Sequence, residues 1–537
     1  MNLVNLADFK EYVQHLGQHE DQVALRGFYN KELRSFSYRR LVSDVRALAA
    51  AFIDKGLQGK HISLVGESSY EWIVTWLSVV TMGSVIVPID KELTEADMRY
   101  IVTDSDSAAI MASNTFLGYF KPEELPKVAY IFSVRDIAKL VEHGNRLLEE
   151  GDKRYENVQM EPEELCALVY TSGTTGLAKG VMLSQKNILA NILFAPKSVD
   201  IDGDSLSVLP IHHTLECSLG ILCEMYLGLN ITLNNSLKYV ADNLKLIKPH
   251  NLVLVPLFVE TLSKRVWDEA QKSGKAKLLK TMLKVSNALR KIGIDLRKPL
   301  FKSVREGFGG NLKLIVCGGA PIAPALVKEF CDFGITVVTG YGTTECAPLI
   351  AVNPNRKLTY DSVGFAMKCC EIKIDDPTAE GEGEIMVRGN NVMLGYYKKP
   401  EVTAEVFRGE WFLTGDIGKI DKKGRLHITG RKKNIIVLNS GKNVYPEELE
   451  FLLEKEPLVG EVIVRGVVEN GQETQIQAEI FPSVDYAAAN DITDLEAALN
   501  AIIAKTNVEL PLYKKIGSLK LRDTEFAKTT TKKIKRS

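Results

Sequence analysis

The chain has 537 residues, of which 45% are hydrophobic and 25% are charged. These values are ordinary for globular proteins and exclude a disordered chain, a collagen-like repeat and a membrane-embedded body. The 67 lysines and arginines nearly balance the 68 aspartates and glutamates, so the net charge of −1 gives no general attraction to nucleic acid. At this length we expect two or more domains.

The cysteine spacing and the apolar segments indicate the cellular compartment of the protein. The eight cysteines show no C-x-x-C pair and no metal-ligand spacing, so we expect reduced, mostly buried thiols. The N-terminal segment is polar where a secretory signal needs an apolar run. The stretch from Ile73 to Ile89 contains Gly83 and Pro88 and is shorter than the roughly 20 residues of a membrane span. We therefore expect a cytoplasmic protein without an integral membrane segment, either free or peripheral to the membrane.

The first 160 residues alternate helical and strand patterns. Leu41, Val45, Leu48 and Phe52 mark one face of a helix, and residues 61–65 read as a strand. Similar alternation continues through LCALVYTS, NLVLVPL, LKLIVCGG and ITVVTGYG. Strands that alternate with helices predict an α/β fold with doubly wound, parallel sheets, whose ligands bind at the strand ends.

The pattern changes after about residue 360. Short strands interrupted by glycine, as in WFLTGDIGKIDKKGRLHITG, predict a small antiparallel, barrel-like subdomain of the large lobe. From GRKKNIIVLNSGKNVYPEELE onward, helices and strands fill about 100 residues, enough for a separate α+β domain. We predict domains at residues 1–432 and 433–537.

The segment YTSGTTGLAKGVMLS, residues 170–184, has the composition of a phosphate-binding loop. Glycines let backbone N–H groups approach an anion, hydroxyls add donors and Lys179 adds positive charge. The Walker spacing is absent, and a surface turn is the alternative. The candidate ligands of the phosphates are Thr171, Ser172, Gly173, Thr174, Thr175, Gly176 and Lys179.

This loop resembles the T-S-G-[ST]-T-G-x-P-K-G motif of the adenylate-forming superfamily, which includes acyl-CoA synthetases, and the resemblance covers nearly the whole chain. Ala178 replaces the usual proline, a change that affects mainly the conformation of the loop. The resemblance implies ATP and Mg²⁺ as cofactors, and a mobile C-terminal domain behind a large N-terminal lobe.

A second motif, YGTTE, follows the strand ITVVTG. By resemblance, Tyr341 stacks on adenine, Thr344 contacts the α-phosphate and Glu345 binds Mg²⁺, with Thr171 as a further metal ligand. A carboxylate-bound Mg²⁺ and hydroxyl donors suit a phosphorus centre that gathers negative charge. The other residues that the resemblance assigns to nucleotide binding are Gly342, Thr343 and, in the GGAP turn, Gly319, Ala320 and Pro321; the turn alone also fits a plain strand-to-helix connection.

Three residues further along complete the nucleotide motifs by resemblance. Asp416 accepts from the ribose hydroxyls, Arg431 contacts the ribose or a phosphate, and Lys433 is the hinge about which the C-terminal domain rotates. Taken singly, Asp416 also fits a turn, and Arg431 and Lys433 also fit a solvated surface.

The tail FAKTTTKKIKR is similar to the family's terminal P-K-T-x-x-G-K-I-x-R motif, which makes Lys533 the catalytic lysine of adenylation. Neighbouring Lys532, a solvated basic tail and a nucleic-acid-binding tail are the alternatives. His213, in LPIHHTLE, matches the P-x-x-H motif beside the acyl pocket, although a packed histidine also fits. The loop around Gly441 resembles the thiol tunnel.

The implied reaction joins a carboxylic acid to AMP and then transfers the acyl group to coenzyme A. The sequence is most similar to bacterial medium- and long-chain fatty acyl-CoA synthetases, so the resemblance implies a medium- or long-chain fatty acid as the substrate. Three alternatives stay open. They are an enzyme that loads the pantetheine of an acyl carrier protein, a nucleotide-binding homologue without turnover, and a kinase or ATPase that releases ADP. We expect small-molecule substrates, no nucleic acid, and a monomer or a homodimer.

Overall fold

A computed structural model describes the chain except residues 1–3, 31, 172–177, 439–441, 470–471, 529–533 and 537. The chain divides into two compact units. The first unit comprises Met1–Ile372 with Val387–Phe412, and the second comprises Lys373–Met386 with Leu413–Ser537. The predicted domain boundary between residues 432 and 433 was placed at the expected hinge, Lys433. It lies within the second unit, and it stays a prediction.

The α-helices of the described residues cover both short and long segments. In chain order they are α1 Phe9–Gly17, α2 Tyr38–Asp54, α3 Tyr70–Thr81, α4 Glu95–Asp104, α5 Ile137–Glu149, α6 Gln185–Phe194, α7 Glu224–Tyr226, α8 Val240–Ile247, α9 Pro256–Lys272, α10 Ala276–Lys291, α11 Arg297–Leu300, α12 Lys302–Gly307, α13 Pro324–Asp332, α14 Pro400–Glu405, α15 Pro446–Leu453, α16 Val484–Ala489 and α17 Leu495–Val508.

The β-strands of the described residues are mostly short. In chain order they are β1 Val23–Tyr29, β2 Glu32–Ser37, β3 His61–Val65, β4 Val85–Ile89, β5 Ser107–Ala112, β6 Tyr130–Ser133, β7 Leu165–Thr171, β8 Lys179–Ser184, β9 Ser205–Ser207, β10 Ile231–Leu233, β11 Asn251–Leu254, β12 Leu314–Cys317, β13 Thr336–Gly342, β14 Leu349–Val352, β15 Phe365–Ala366, β16 Cys370–Asp375, β17 Gly383–Gly389, β18 Gly395–Tyr396, β19 Phe407–Arg408, β20 Trp411–Ile420, β21 Leu426–Arg431, β22 Ile436–Val437, β23 Asn443–Val444, β24 Val459–Glu469, β25 Gln472–Pro482 and β26 Ile516–Leu521.

Helix α2 shows how local sequence sets an element. The Ser37 hydroxyl accepts a hydrogen bond from the Arg40 N–H, which caps the first turn. Leu41, Val45 and Phe52 lie on one face of the helix and are fully buried. The predicted amphipathic helix is therefore confirmed.

Two large sheets form the first unit. The seven-stranded sheet has the order β18-β8-β7-β4-β3-β5-β6, and the nine-stranded sheet has the order β15-β14-β13-β12-β11-β9-β10-β1-β2. Their central strands are parallel, as predicted, whereas β2, β8, β14, β15 and β18 pair antiparallel at the edges. The α/β class is confirmed, and the sheets are mixed because hairpins extend them.

Antiparallel pairing dominates the later part of the chain. A five-stranded sheet has the order β16-β17-β20-β19 with β21 beside β20, and a two-stranded sheet joins β22 and β23. In the second unit, β24 and β25 form a long hairpin, and β26 pairs parallel with β25. Helices α15 and α17 cover this three-stranded sheet through a shared core that includes Leu449, Leu499 and Ile480. The predicted small α+β region is present.

The most apolar segment of the sequence lies inside the first unit. Helix α3 has buried residues on all its faces, and Val85–Ile89 forms the buried strand β4 that follows it. Among the described residues, no helix has the length and apolar character to cross a bilayer. All eight cysteines are free thiols, and all but Cys370 are buried, as predicted.

Candidate active site

The predicted phosphate loop connects two antiparallel strands of the seven-stranded sheet. Thr171 ends β7 and pairs with Lys179, the first residue of β8, and both side chains are half-buried. Ser172, Gly173, Thr174, Thr175 and Gly176 lie outside the described residues. The two described ends of the loop therefore hold one hydroxyl and one ammonium group next to each other at the strand ends.

The second motif ends a strand of the nine-stranded sheet. Tyr341 and Gly342 close β13, and Thr343 caps the short 3-10 helix Thr344–Cys346. A Cβ on Gly342 would overlap the carbonyl oxygen of Pro348, so only glycine allows these two segments of the backbone to approach so closely. The motif is thus held against the strand that follows it.

Glu345 is oriented by three contacts. Its N–H donates to Thr343 Oγ1 at 3.2 Å, and the Thr343 hydroxyl in turn donates to Glu345 Oε2. The Tyr396 hydroxyl donates to Glu345 Oε1 at 2.9 Å. Thr344 is half-buried beside it. The motif threonine that binds the carboxylate in this state is therefore Thr343.

Tyr396 connects the two motifs. Its strand β18 pairs with β8, and its ring centroid lies 5.3 Å from Lys179 Nζ. Burial and the charge of Glu345 raise the pKa of Tyr396, so its hydroxyl stays a donor at neutral pH. A carboxylate, a tyrosine and an ammonium group thus meet where the phosphate loop joins β8.

The GGAP turn lies at the same sheet edge as the second motif. Strands β12 and β13 are parallel neighbours, with Cys317 opposite Thr339. Gly319 follows β12 with φ +85°, a left-handed conformation that favours glycine, and Ala320 and Pro321 continue toward α13. Because parallel strands end at one edge, this turn and Tyr341 are brought together, as the proposed adenine pocket requires.

His213 follows the strand β9 and precedes a nine-residue π-helix, Leu215–Cys223. Its ring lies 4.2 Å from the ring of His212, whose Nε2 is 3.3 Å from Asp90 Oδ1. His212 is buried, and His213 is half-buried. Sequence reasoning missed Asp90, because the strand end that carries it is far from the histidines in the chain.

The π-helix carries a fully buried carboxyl group. The Ser207 hydroxyl donates to Glu216 Oε1 at 2.5 Å, and burial raises the pKa of Glu216 to about 8. Glu224, which follows the π-helix, is also buried, and burial raises its pKa to about 8. Both groups are therefore protonated over most of the neutral range.

Asp416 and Arg431 meet in the second unit. They are opposite each other on β20 and β21, and Arg431 Nε lies 2.7 Å from Asp416 Oδ1, which is buried. Lys433 follows in the 3-10 helix Lys432–Asn434. Partial burial and the charges of Arg431 and Arg536 lower the pKa of Lys433.

The described parts of the tail are attached to the second unit. Lys528 and Ile534 form a β-bridge, and the Lys535 N–H donates to the Ala527 carbonyl at 2.7 Å. Arg536 binds the carboxylate of Glu450 on α15, a group whose pKa burial raises to about 7. Lys533 lies outside the described residues, as do Lys532 and Gly441.

Of the residues that sequence reasoning missed, Tyr396 contacts the most predicted site residues. The segment MLGYYKKP contains Tyr396 and Tyr397 side by side, and no sequence pattern shows which of them belongs to the site. Only the three-dimensional contacts identify Tyr396. Asn191 is a further residue that sequence reasoning missed. Its amide donates to the Cys346 carbonyl at 2.9 Å and accepts from Leu349 at 3.0 Å, which braces the second motif.

Most of this chain is similar in sequence to known proteins. The family model described as AMP-binding enzyme matches residues 13–397. The long-chain-fatty-acid–CoA ligase FadD15 of Mycobacterium bovis is 28% identical over 92% of this chain and 88% of that protein. Long-chain-fatty-acid–CoA ligase 5 of Mus musculus is also 28% identical, over 81% and 70%.

A solved structure matches the fold. The o-succinylbenzoate CoA synthetase MenE of Bacillus subtilis, in complex with its acyl-adenylate intermediate, aligns with a TM-score of 0.73 at 20% identity. The alignment covers 97% of this chain and 96% of that one. The α/β architecture described above is therefore that of a known enzyme fold.

Proposed function

This chain belongs to the family of AMP-binding enzymes, and we propose that it activates a medium- or long-chain fatty acid with ATP and transfers the acyl group to coenzyme A. The first half-reaction forms acyl-AMP and pyrophosphate, and the second forms acyl-CoA and AMP. The names of the bacterial and mammalian relatives support a fatty acid as the substrate.

The observation that carries the proposal is the Glu345–Tyr396–Lys179 arrangement. Carboxylate and hydroxyl oxygens are the ligands that Mg²⁺ prefers, so Glu345 and Thr171 fit a metal-nucleotide site. Mg²⁺ supplies charge stabilisation at the phosphates. Lys179, held beside the Tyr396 ring, provides a positive charge for the leaving pyrophosphate.

The remaining nucleotide contacts are proposed from the resemblance of the motifs. Tyr341 and the turn Gly319–Pro321 would bind adenine, Thr344 the α-phosphate, and Asp416 the ribose hydroxyls. Asp416 already accepts from Arg431, so a vicinal diol would share or replace that donor. His213 would line the acyl pocket near the β4 strand end.

Lys533 would neutralise charge on the bridging oxygen during adenylation. The β-bridge at Ile534 and the Arg536–Glu450 ion pair tie the flanking residues to the second unit. We propose that the C-terminal domain, residues 433–537, withdraws the lysine after the first half-reaction by rotation about Lys433, and that the Gly441 loop then lines the thiol tunnel.

Coenzyme A is the proposed acceptor, and an acyl carrier protein is the second candidate. The cytoplasmic location, and the choice between a monomer and a homodimer, stay predictions.

Pyrophosphate and AMP release by the purified protein, with Mg-ATP and a panel of acids, tests the proposal. We expect acid-dependent pyrophosphate and AMP that increases when coenzyme A is added. Lys533→Ala should lower pyrophosphate release at least about 100-fold, since one preorganised charge contributes roughly that factor. Lys532→Ala is the matched control, and it should keep near wild-type activity.

Three results would contradict the proposal in different ways. ADP in place of AMP would indicate a kinase or ATPase. No pyrophosphate with any acid would indicate a homologue without turnover. Loss of activity in Lys532→Ala but not in Lys533→Ala would move the catalytic assignment by one residue.

A further inference from the structure

Residues 256–307 concentrate positive charge in a chain that is nearly neutral. They contain 13 lysines and arginines against five aspartates and glutamates, while the whole chain has a net charge of −1. The segment forms helices α9 to α12 in the first unit. A local excess of this size attracts an anionic partner over about a Debye length, which neutral composition alone would not do.

The outer face of α10 carries an aliphatic stripe. Leu278, Val285 and Ile292 are spaced seven residues apart, which places them on one side of the helix. Their exposed fractions are 56%, 49% and 71%. A neighbouring side of the helix packs into the protein, where Leu279 joins a core with Phe301 and Phe333. The helix therefore has two apolar faces, one that is buried in the core and the exposed aliphatic stripe.

A lysine stripe runs beside the aliphatic one. Each aliphatic residue is preceded directly by a lysine, at Lys277, Lys284 and Lys291, and all three lysines are exposed. Among the ion pairs that the described residues form, none includes these three. Two more exposed aliphatic residues, Ile294 and Leu296, follow the helix.

The geometry points to a lipid bilayer that contains anionic phospholipids as the partner of this face. We propose that α10 lies along the membrane surface, with its aliphatic stripe among the acyl chains and its lysines at the phosphate groups. This pairing of exposed apolar residues with flanking lysines is the pattern of an interfacial helix, because lysine stems reach from the apolar layer to the head groups. A second copy of the chain is disfavoured, since two lysine stripes would repel each other.

The proposal concerns binding and does not depend on the catalytic assignment. If the proposed function holds, the surface would also bring the enzyme to fatty acids dissolved in the bilayer. Binding and turnover are measured separately, so a failure of one is not mistaken for a failure of the other.

The test is co-sedimentation of the full-length protein with vesicles of phosphatidylcholine, with and without about one-third phosphatidylglycerol. We expect binding to the anionic vesicles that weakens as salt is raised. Each lysine near an anionic surface contributes a factor of about five to the binding constant, so Lys277→Glu with Lys284→Glu should weaken binding about 25-fold or more. Leu278→Gln with Val285→Gln should weaken it about tenfold, and glutamine keeps the helix propensity.

Matched controls use exposed residues of other elements. Lys139→Glu with Lys153→Glu makes the same charge change, and Val508→Gln with Leu512→Gln removes two more exposed aliphatic residues. Both pairs should bind as the wild type does, and all variants should keep the wild-type melting temperature.

Two results would overturn the proposal. The first is a wild type that does not bind anionic vesicles, and the second is equal binding by the α10 variants and the controls. Retention on an immobilised acidic carrier protein without vesicle binding would assign the surface to a protein partner.

Discussion

At the scale of single residues, the candidate site depends on groups that orient other groups. Glu345 has contacts from Thr343 and Tyr396, and Tyr396 also lies beside Lys179. Substitution of a residue that holds a metal ligand in place commonly lowers metal affinity or activity by about 10- to 100-fold. Tyr396 should therefore act as a positioning residue for Glu345, the carboxylate that we propose to bind Mg²⁺.

Tyr396→Phe removes the hydroxyl and keeps the ring next to Lys179. We expect the Mg²⁺ concentration for half-maximal pyrophosphate release to rise about tenfold, because Glu345 loses a charge-assisted hydrogen bond. Tyr397→Phe is the matched control, since the Tyr397 hydroxyl binds Asp106 at 2.9 Å instead. The same Mg²⁺ requirement in Tyr396→Phe and the wild type would contradict the assignment.

Residue types with a spacing signal could be predicted from the sequence, and isolated residues could not. Tyr341, Gly319 and Glu345 were found through motifs, and the structure places them at strand ends of one sheet edge. Tyr396 and Asn191 act through contacts between segments about 50 and 155 residues apart, which no local pattern contains. The roles of these motif residues, like that of Lys533, stay predictions from the resemblance.

At the scale of elements, strand positions followed from the sequence better than strand directions. The apolar segments at β3, β11 and β12 were predicted because a buried parallel strand is a short run of branched aliphatic residues. The antiparallel direction of β8 and β14 was not predicted, since direction depends on the turn before a strand rather than on its own residues. The π-helix was missed because its apolar spacing does not differ clearly from that of an α-helix.

The π-helix also makes a prediction about Gly220. A Cβ at this position would lie 2.9 Å from Glu216 Cδ, so the missing side chain makes room for the buried carboxyl group. Gly220→Ala should lower the free energy of unfolding by about 1 to 3 kcal/mol, as overpacking does. Denaturant unfolding measures this change.

Gly307→Ala in α12 provides the comparison for Gly220→Ala. A Cβ at Gly307 meets open space, so alanine should leave stability unchanged or raise it slightly. If both variants unfold at the wild-type denaturant concentration, the proposed steric role of Gly220 is wrong.

At the scale of the whole molecule, stability should depend on pH through the buried carboxyl groups. The pKa of Glu216 is about 8 in the folded chain and about 4.5 in the unfolded chain. Between these values the folded state holds a proton that the unfolded state has lost, so stability falls as pH rises from about 5 to 8 and is then constant.

Glu216→Gln removes this titration and keeps an oxygen that accepts from Ser207. Relative to the variant, the wild type should lose on the order of a few kcal/mol of unfolding free energy between pH 5 and pH 8. Urea unfolding of both proteins across this range measures the difference. Parallel pH profiles would show that Glu216 does not titrate with folding.

The buried cysteines have a consequence for the proposed chemistry. An acyl-adenylate reacts with any accessible thiolate, and Cys346 is the residue directly after Glu345. Burial raises the pKa of Cys346 well above its ordinary value, and it does the same for Cys166, Cys217 and Cys223. These thiols stay protonated and enclosed, so the enzyme would be protected from acylating itself. The activated acyl group is thereby reserved for a thiol that arrives from outside.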